Sequence, residues 1–188
     1  MTRKIPAEPS EEQFHRIVFS IWDFQQALSA LTFLEEECDL TQKYSRVELR
    51  RFKCYETQSI ISFARPFVAS RSGIQLSAKR VGVNLTSEER RHSNEILLLR
   101  NKIVAHSDTE EMHYKVQTLE FGGPNSIKAP VFIFDEGLLL NEKQRRDFES
   151  LLRKLIHGLH EFAFQLCKSN PDRFEFYKVP ISGLNQDV

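Results

Sequence analysis

The stretch SEEQFHRIVFSIWDFQQALSALTFLEEE, residues 10–37, decides the fold because its apolar side chains recur at spacings of three and four. That period places them on one face of an α-helix. Ser10 followed by Gln13 has the spacing of a capping box, which satisfies N–H groups at a helix start. The sequence therefore predicts a long amphipathic helix over residues 11–37, with apolar positions Phe14, Ile17, Val18, Ile21, Phe24, Leu28, Leu31 and Leu34.

A second helical pattern follows at residues 46–69. Ser45 and Glu48 form another capping box, and aromatic and aliphatic residues continue at helical spacing. Pro66 has no N–H and clashes with the preceding turn, so the helix should kink or end just before it. Residues 70–85 show no clear period and are predicted to form a loop.

The third helix begins at the capping box of Thr86 and Glu89 and runs through Val104. Three consecutive leucines at residues 97–99 make this helix apolar around much of its circumference. Such a helix is expected to be buried on several sides, so the sequence predicts a central position for it.

The hydrophobic period then changes from that of a helix to that of a strand. Residues 112–121 alternate in part and residues 131–134 are β-prone, with Gly-Gly-Pro-Asn at 122–125 as a turn signal. The pattern predicts a hairpin packed on the helices, because an isolated hairpin is marginally stable. Asn141 and Gln144 then cap a last long helix that ends before an Asn-Pro pair.

These elements predict a mainly α fold: a four-to-five-helix bundle with a small β-hairpin inserted between the third and fourth long helices. The 188 residues suit one domain over residues 1–188, with its core over residues 11–168 and a C-terminal tail over residues 171–188. Three distant cysteines without a CxxC pair favour free thiols in a reducing compartment. A polar N-terminus and no window of about 20 apolar residues predict a cytoplasmic protein with no membrane partner.

Charge is distributed unevenly although the chain has 26 basic and 26 acidic residues. Residues 43–102 contain 13 basic and 5 acidic residues, so the rest of the chain is acidic. A basic segment of this kind either binds phosphate groups or pairs with acidic parts of the same chain.

The third helix ends in LLRNKIVAHSD, residues 98–108, where polar side chains follow an apolar run. Arg100 carries a permanent charge on a planar fork that suits phosphate oxygens, and His106 exchanges protons near neutral pH. With the amide of Asn101, these side chains form a sensible minimal set for cleaving a phosphodiester without a metal. Alternatively, Arg100 pairs with a carboxylate such as that of Glu95 or Asp108, and His106 caps the helix C-terminus.

This segment resembles the motif of the HEPN superfamily (higher eukaryotes and prokaryotes nucleotide-binding). That motif is an arginine, usually a polar residue next, and a histidine after four to six intervening positions; five intervene between Arg100 and His106. The string RNKIVAHSD looks like the abortive-infection branch of these proteins. Members that a partner nucleotidyltransferase modifies carry His-x-Tyr, whereas Ser107 and Asp108 follow His106 here, which argues against that mechanism.

The resemblance implies a helical bundle and, in many members, a metal-independent endoribonuclease in defence or toxin–antitoxin systems. His106 would act as general base or acid, Arg100 would stabilise charge on phosphorus, and Asn101 would orient one of them. No cofactor is expected, and the partners would be RNA and an antitoxin or defence protein. The residues predicted to bind the RNA substrate are Lys102, Ser107, Asp108, Arg90 and Arg91.

Two other functions stay open at this point. Some HEPN proteins bind RNA or nucleotides, or act as scaffolds, without catalysis. The chain is otherwise interpreted as an unrelated helical interaction domain.

A regular helix would hold Arg100 and His106 about 120° apart and about 9 Å apart along its axis. One copy would not close both side chains on one phosphate unless the helix unwinds near Ala105. The spacing, with the resemblance, therefore predicts a homodimer in which two antiparallel copies share a composite site. The leucines at residues 97–99 would divide between the bundle core and that interface.

The other polar patterns in the sequence are weaker indications of a functional site. His157 and His160 share a helix face but have no third ligand nearby, so no metal site is predicted. The Gly-Gly-Pro at 122–124 is interpreted as a turn rather than a phosphate loop. His92 and His113 have no position that the sequence fixes.

Overall fold

The computed structural model describes residues 9–39, 41–68, 74–102, 114–122, 127–134 and 137–169. Its elements are helices α1 (Glu11–Glu37), α2 (Arg46–Ala64), α3 (Ser87–Arg100) and α4 (Glu142–Ser169), strands β1 (Tyr114–Phe121) and β2 (Ile127–Phe134), and a 3₁₀ turn at Arg65–Phe67. The fold is mainly α, with a two-stranded antiparallel hairpin between α3 and α4, which confirms the predicted fold class. The C-terminal tail over residues 171–188 lies outside the described residues.

Every long helix begins with a capping box, as the sequence predicted. In each, the cap side chain accepts from the N–H three residues on, and that residue's side chain accepts from the cap N–H. Two of the four N–H groups that a helix start leaves unsatisfied depend on such side chains. The four pairs are Ser10 with Gln13, Ser45 with Glu48, Thr86 with Glu89, and Asn141 with Gln144.

Proline determines where two helices end. α2 ends at Ala64 and continues only as the 3₁₀ turn that contains Pro66. α4 ends at Ser169, immediately before the Asn-Pro pair in the sequence. Both ends were predicted, because a proline ring excludes the α-helical hydrogen bond.

The four helices are arranged as a square. α1 packs against α2 and α4, and α3 packs against the same two helices. α1 has no comparable contact with α3, so these two helices occupy opposite corners. The buried aromatic rings of Phe24, Phe63 and Phe148 link α1, α2 and α4 through the centre of the core.

The prediction that α3 is central is wrong. α3 buries only one stripe, formed by His92, Ser93 and Ile96. Leu98 is 57% exposed, and its neighbours in the leucine run are only partly buried. A helix at a corner of a square has two neighbours, so an apolar run around its circumference leaves one side in solvent.

The hairpin pairs Tyr114–Phe121 with Ile127–Phe134 in register, and Gly122 ends β1 with a positive φ of 96°. Among the described residues the hairpin has close contacts mainly between its own strands and no comparable packing on a helix. The prediction that it packs on the helices is therefore not confirmed. Its exposed apolar side chains include Leu119, Phe121, Ile127 and Phe132.

α1 is the one helix in the described part of the chain long and apolar enough to cross a membrane by length and composition. The sequence-based prediction of no such segment was therefore too strict. In the bundle, 44% of the residues in that window are buried against other helices. Its only charged residue between Ile17 and Leu34 is Asp23, which is buried and hydrogen-bonded to Arg65 at 3.3 Å.

We predict that Gly158→Ala destabilises the protein. α4 passes so close to the buried Val83 that a Cβ at position 158 would overlap Val83 Cγ2. Alanine favours a helix by about 1 kcal/mol over glycine, but overpacking a core typically destabilises by about 1–3 kcal/mol. Urea unfolding of Gly158→Ala, Val83→Ala and the double variant measures this.

The overlap predicts that the double variant is more stable than the sum of the two single changes implies, since Val83→Ala removes the overlapping methyl group. Purely additive effects would contradict a clash between these two side chains.

Candidate functional site at the end of the third helix

Arg100 is the last α-helical residue of α3 and is partly buried. Its Nη1 donates to Oδ1 of Asn101 at 3.0 Å. Asn101 and Lys102 are exposed, and the Asn101 N–H is shared between the carbonyl oxygens of Leu97 and Leu98. The structure thus brings together the first two of the predicted catalytic residues.

Neither of the two carboxylates that the sequence offered as partners for Arg100 is seen to contact it. Glu95 lies 3.4 Å from Nη1 of Arg91 and 3.6 Å from Nδ1 of His92, and its contacts do not include Arg100. Asp108, the other alternative, lies outside the described residues. Within the described part of the chain, Arg100 bonds to the amide of Asn101, which leaves the guanidinium charge uncompensated at this contact.

The backbone changes geometry directly after Arg100. At Asn101 and Lys102 the helix widens into a π-type turn. Such turns are short insertions in α-helices and occur frequently at functional sites. The regular helix assumed for the angle between Arg100 and His106 therefore ends before His106 is reached. His106, Ser107 and Asp108 lie outside the described residues.

The side chains of Arg90 and Arg91 project from the axis of α3 in different directions. At about 100° per residue, Arg91 projects about 180° away from Arg100, whereas Arg90 lies about 80° away. Both lie more than about 13 Å from Arg100 along the axis. The structure therefore places Arg90 on a side that approaches that of Arg100 and does not bring Arg91 to it.

Both arginines contact groups within the basic segment itself. Arg90 donates from Nε and Nη2 to the carbonyl of Leu85 at 3.2 and 3.0 Å. Arg91 is exposed and lies beside Glu88 and Glu95 on its own helix. Surface pairs of this kind are weak, so they do not prevent either arginine from meeting a phosphate.

Other cations of residues 43–102 do pair with the acidic remainder of the chain. Arg51 lies 2.8 Å from Glu37, and Arg65 lies 3.3 Å from Asp23. The first ion pair joins α2 to α1, and the second joins the 3₁₀ turn after α2 to α1. The basic segment is therefore partly neutralised within the bundle, and it does not form one uniformly positive face.

A shallow groove of about 570 Å³ follows the outer side of α3. It combines two guanidinium groups, an amide, a carboxylate and an apolar side chain. Such a surface can hold an anion at its rim and an apolar ring at its floor. Its lining residues are Ser87, Arg90, Arg91, Asn94, Glu95 and Leu98.

Two contacts fix α3 against α4. Lys154 Nζ lies 2.7 Å from both carboxylate oxygens of Glu89. Burial raises the pKa of Glu89, but the Lys154 ammonium and the Thr86 cap outweigh it and lower the pKa overall. The buried ring of His92 meets Phe148 edge-on, with centroids 6.3 Å apart. The earlier α3 residue contacts the later α4 residue, so the two helices are antiparallel. Arg100 therefore lies toward the end of the bundle where α4 begins.

His92 is the one described residue with a buried side-chain nitrogen, Nε2, that has no hydrogen-bond partner among described residues. It lies eight positions before Arg100, about 12 Å along the axis, and so belongs to the α3–α4 contact rather than to the site. His113 lies outside the described residues. His157 and His160 are exposed, and the described residues contain no group of three ligands that could hold a metal ion.

A buried polar network lies at the same end of the bundle. Glu56 is fully buried and accepts from the N–H groups of Leu139 and Leu140 at 2.7 and 2.8 Å. Arg145 is also buried and donates to Glu35 at 2.6 Å and to the carbonyl of Leu140 at 3.0 Å. The network ties the segment before α4 to α1 and α2, and with it the connection that returns from the hairpin.

Sequence reasoning missed this network. Its signal was Glu56, which lies four residues from both Phe52 and Ile60 and therefore on the buried face of α2. A carboxylate in that position must be satisfied inside the protein. Burial raises the pKa of Glu56, although the two backbone N–H groups and Arg145 oppose the increase.

A scan against protein-family models found no match, and searches of curated proteins and of solved structures found none either. The function is therefore argued from the chain's own residues. Of the predicted site residues, Arg100, Asn101 and Lys102 lie together at the end of α3, and Arg90 and Arg91 lie further along it.

We predict that the free energy of unfolding of the wild-type protein, relative to that of Glu56→Gln, is highest at acid pH and falls as the pH rises. The raised pKa means that the folded protein holds this proton more tightly than the unfolded chain. The contribution is fully present below the ordinary pKa of about 4.5 and is lost as pH rises through the folded-state value. Urea unfolding of both proteins across this range measures the difference.

Comparison with Glu56→Gln cancels the carboxylates whose pKa is lowered, because both proteins retain them. A free energy of unfolding of the wild type that rises relative to that of Glu56→Gln toward neutral pH would contradict the raised pKa of Glu56.

Proposed function

We propose that the chain is a metal-independent endoribonuclease of the HEPN type in which Arg100 and His106 act on an RNA phosphodiester. The observation that carries the proposal is Arg100, a partly buried guanidinium bonded to Asn101 where the α-helix gives way to a wider turn. The helical bundle, with Arg100 at the end of its third helix, supports the proposal.

The chemistry requires no metal. The ribose 2′-oxygen attacks the adjacent phosphorus while the bond from phosphorus to the 5′-oxygen breaks. His106 takes the proton of the 2′-hydroxyl or supplies one to the leaving 5′-oxygen. Arg100 stabilises the charge that develops on the phosphoryl oxygens, and the 3.0 Å bond to Asn101 holds its fork in place. The products are a 2′,3′-cyclic phosphate and a free 5′-hydroxyl group.

The substrate side of the proposal involves Lys102, Ser107 and Asp108 beside the motif and Arg90 along α3. Phosphates of one RNA strand would meet Lys102 first and then the guanidinium of Arg90. Arg91 would contact RNA only at the outer rim of the groove, because it projects to the opposite side of α3 from Arg100.

A homodimer with facing motifs remains part of the proposal. Leu98 is exposed while Leu97 and Leu99 pack against the core. At about 100° per residue, however, Leu98 projects about 160° away from Arg100, so the exposed leucine does not itself lie on the side of the motif. In a cytoplasmic toxin-like or abortive-infection system, an antitoxin or defence protein would restrain the activity.

We expect purified protein to cleave labelled RNA in excess EDTA and to leave 2′,3′-cyclic phosphate ends. His106→Ala should reduce the rate by about 10²-fold or more, as loss of a general acid or base does. Arg100→Lys should also be strongly impaired, because an ammonium does not reproduce the planar fork. Arg153→Lys is the matched control, since Arg153 is an exposed α4 arginine bonded to Glu149.

Cleavage that survives both motif variants would refute the proposed site. RNA binding without any cleavage would instead support the non-catalytic HEPN-fold alternative.

Arg90 and Arg91 provide a separate test of the RNA path. Neutralising a phosphate contact reduces the slope of binding affinity against salt by about one. We expect Arg90→Gln to show this reduction and Arg91→Gln to show a smaller one, because Arg91 lies beside two glutamates and faces away from Arg100. Fluorescence anisotropy with single-stranded RNA over a salt series measures both slopes. Equal slopes for both variants would contradict a path on the Arg90 side.

A further inference from the structure

The outer face of α1 is uncharged over most of its length. A surface helix normally presents charged residues to solvent. Between Val18 and Phe33, however, the exposed or partly exposed outward positions carry only apolar, glutamine and serine side chains. Trp22 is 61% exposed. The outward residues are Val18, Phe19, Trp22, Gln25, Gln26, Ser29 and Phe33.

Apart from Phe19, whose counterpart is the partly buried Thr32, the stripe is symmetric about a point between Gln25 and Gln26. An antiparallel second copy of α1, related by a twofold axis through that point, would place Trp22 against Ser29 and Val18 against Phe33. Each pair sets a large side chain against a smaller one, which is how facing helices interdigitate. Gln25 would meet Gln26 of the other copy, and amides can donate and accept reciprocally.

The charges at the ends of the stripe also suit an antiparallel pair. The same symmetry places His15, near the start of α1, opposite Glu36, near its end. Both are exposed on the outward side. A positively charged or hydrogen-bonding imidazole would therefore meet a carboxylate at each end, whereas a parallel pair would set like groups together.

We infer that the outer face of α1 is a twofold interface with a second copy of this chain. The helix has 27 residues and is about 40 Å long, and with a width of about 10 Å it would bury on the order of 400 Å² per copy. Stable interfaces bury about 800 Å² per partner, so this association is weak and depends on concentration.

The α1 interface is separate from the proposed motif. α1 and α3 occupy opposite corners of the bundle, so pairing through α1 leaves each Arg100 on the far side. The inference does not depend on the proposed ribonuclease function. If the motif faces also pair, the assembly is larger, and disrupting α1 reduces it to the dimer that the motif faces hold together.

Charge substitution at the twofold point tests the inference. Gln25→Lys/Gln26→Lys gathers four ammonium groups at the axis, and Gln25→Glu/Gln26→Glu gathers four carboxylates. In sedimentation at high micromolar concentration, we expect each double variant to have half the mass of the wild-type assembly. Mixing the two in equal amounts should restore that mass, because opposite charges then meet across the axis. Circular dichroism checks that both variants are folded.

Trp22 supplies an independent readout because it is the only tryptophan in the chain. We expect its emission to shift to the blue and its quenching by acrylamide to fall as protein concentration rises. The double-lysine variant should show neither change. Phe164→Ser, which removes a similarly exposed ring from α4, is the control and should behave as the wild type.

Several results would overturn the inference. One is a wild-type protein whose mass the double variants leave unchanged, and another is a mixture that fails to restore it. Shielding of Trp22 at the lowest concentration would show that another part of the same chain covers the stripe. Shielding that needs phosphatidylcholine vesicles would show a membrane-binding face instead.

Discussion

One line of aromatic rings holds the four helices together. Phe24 of α1 meets Phe63 of α2 at 5.8 Å, and Phe63 meets Phe148 of α4 edge-on at 5.1 Å. His92 of α3 then meets Phe148. Because these rings are large, buried and mutually oriented, they fix the spacing of all four helices. The position of Arg100 depends on this line, since α3 is attached to the bundle at His92 and at Glu89.

A buried network of hydrogen bonds ties together the end of the bundle near which the chain returns from the hairpin. Glu56 and Arg145 are almost completely shielded from solvent, yet each has hydrogen-bonded partners. A buried carboxylate that receives two backbone N–H groups compensates for part of its lost hydration. The arrangement anchors the segment before α4, whose leucines at residues 138–140 also pack in or against the core.

The square arrangement exposes two helix faces of opposite character. The outer side of α3 carries arginines and glutamates, whereas the outer side of α1 is uncharged and aromatic. Arginine suits phosphate, and an uncharged aromatic face suits another protein surface. The two faces lie at opposite corners, so the bundle can use both at once.

The sequence by itself determined the helix starts, the helix ends at prolines and the approximate position of the hairpin, because caps, prolines and periodicity act over a few residues. It also located Arg100 and Asn101, which the structure places in contact. It placed α3 wrongly at the centre, because three leucines in a row show apolar character without showing how many neighbours a helix has. The exposed stripe of α1 and the Glu56 network were decided only by tertiary structure, since they depend on which helices are adjacent.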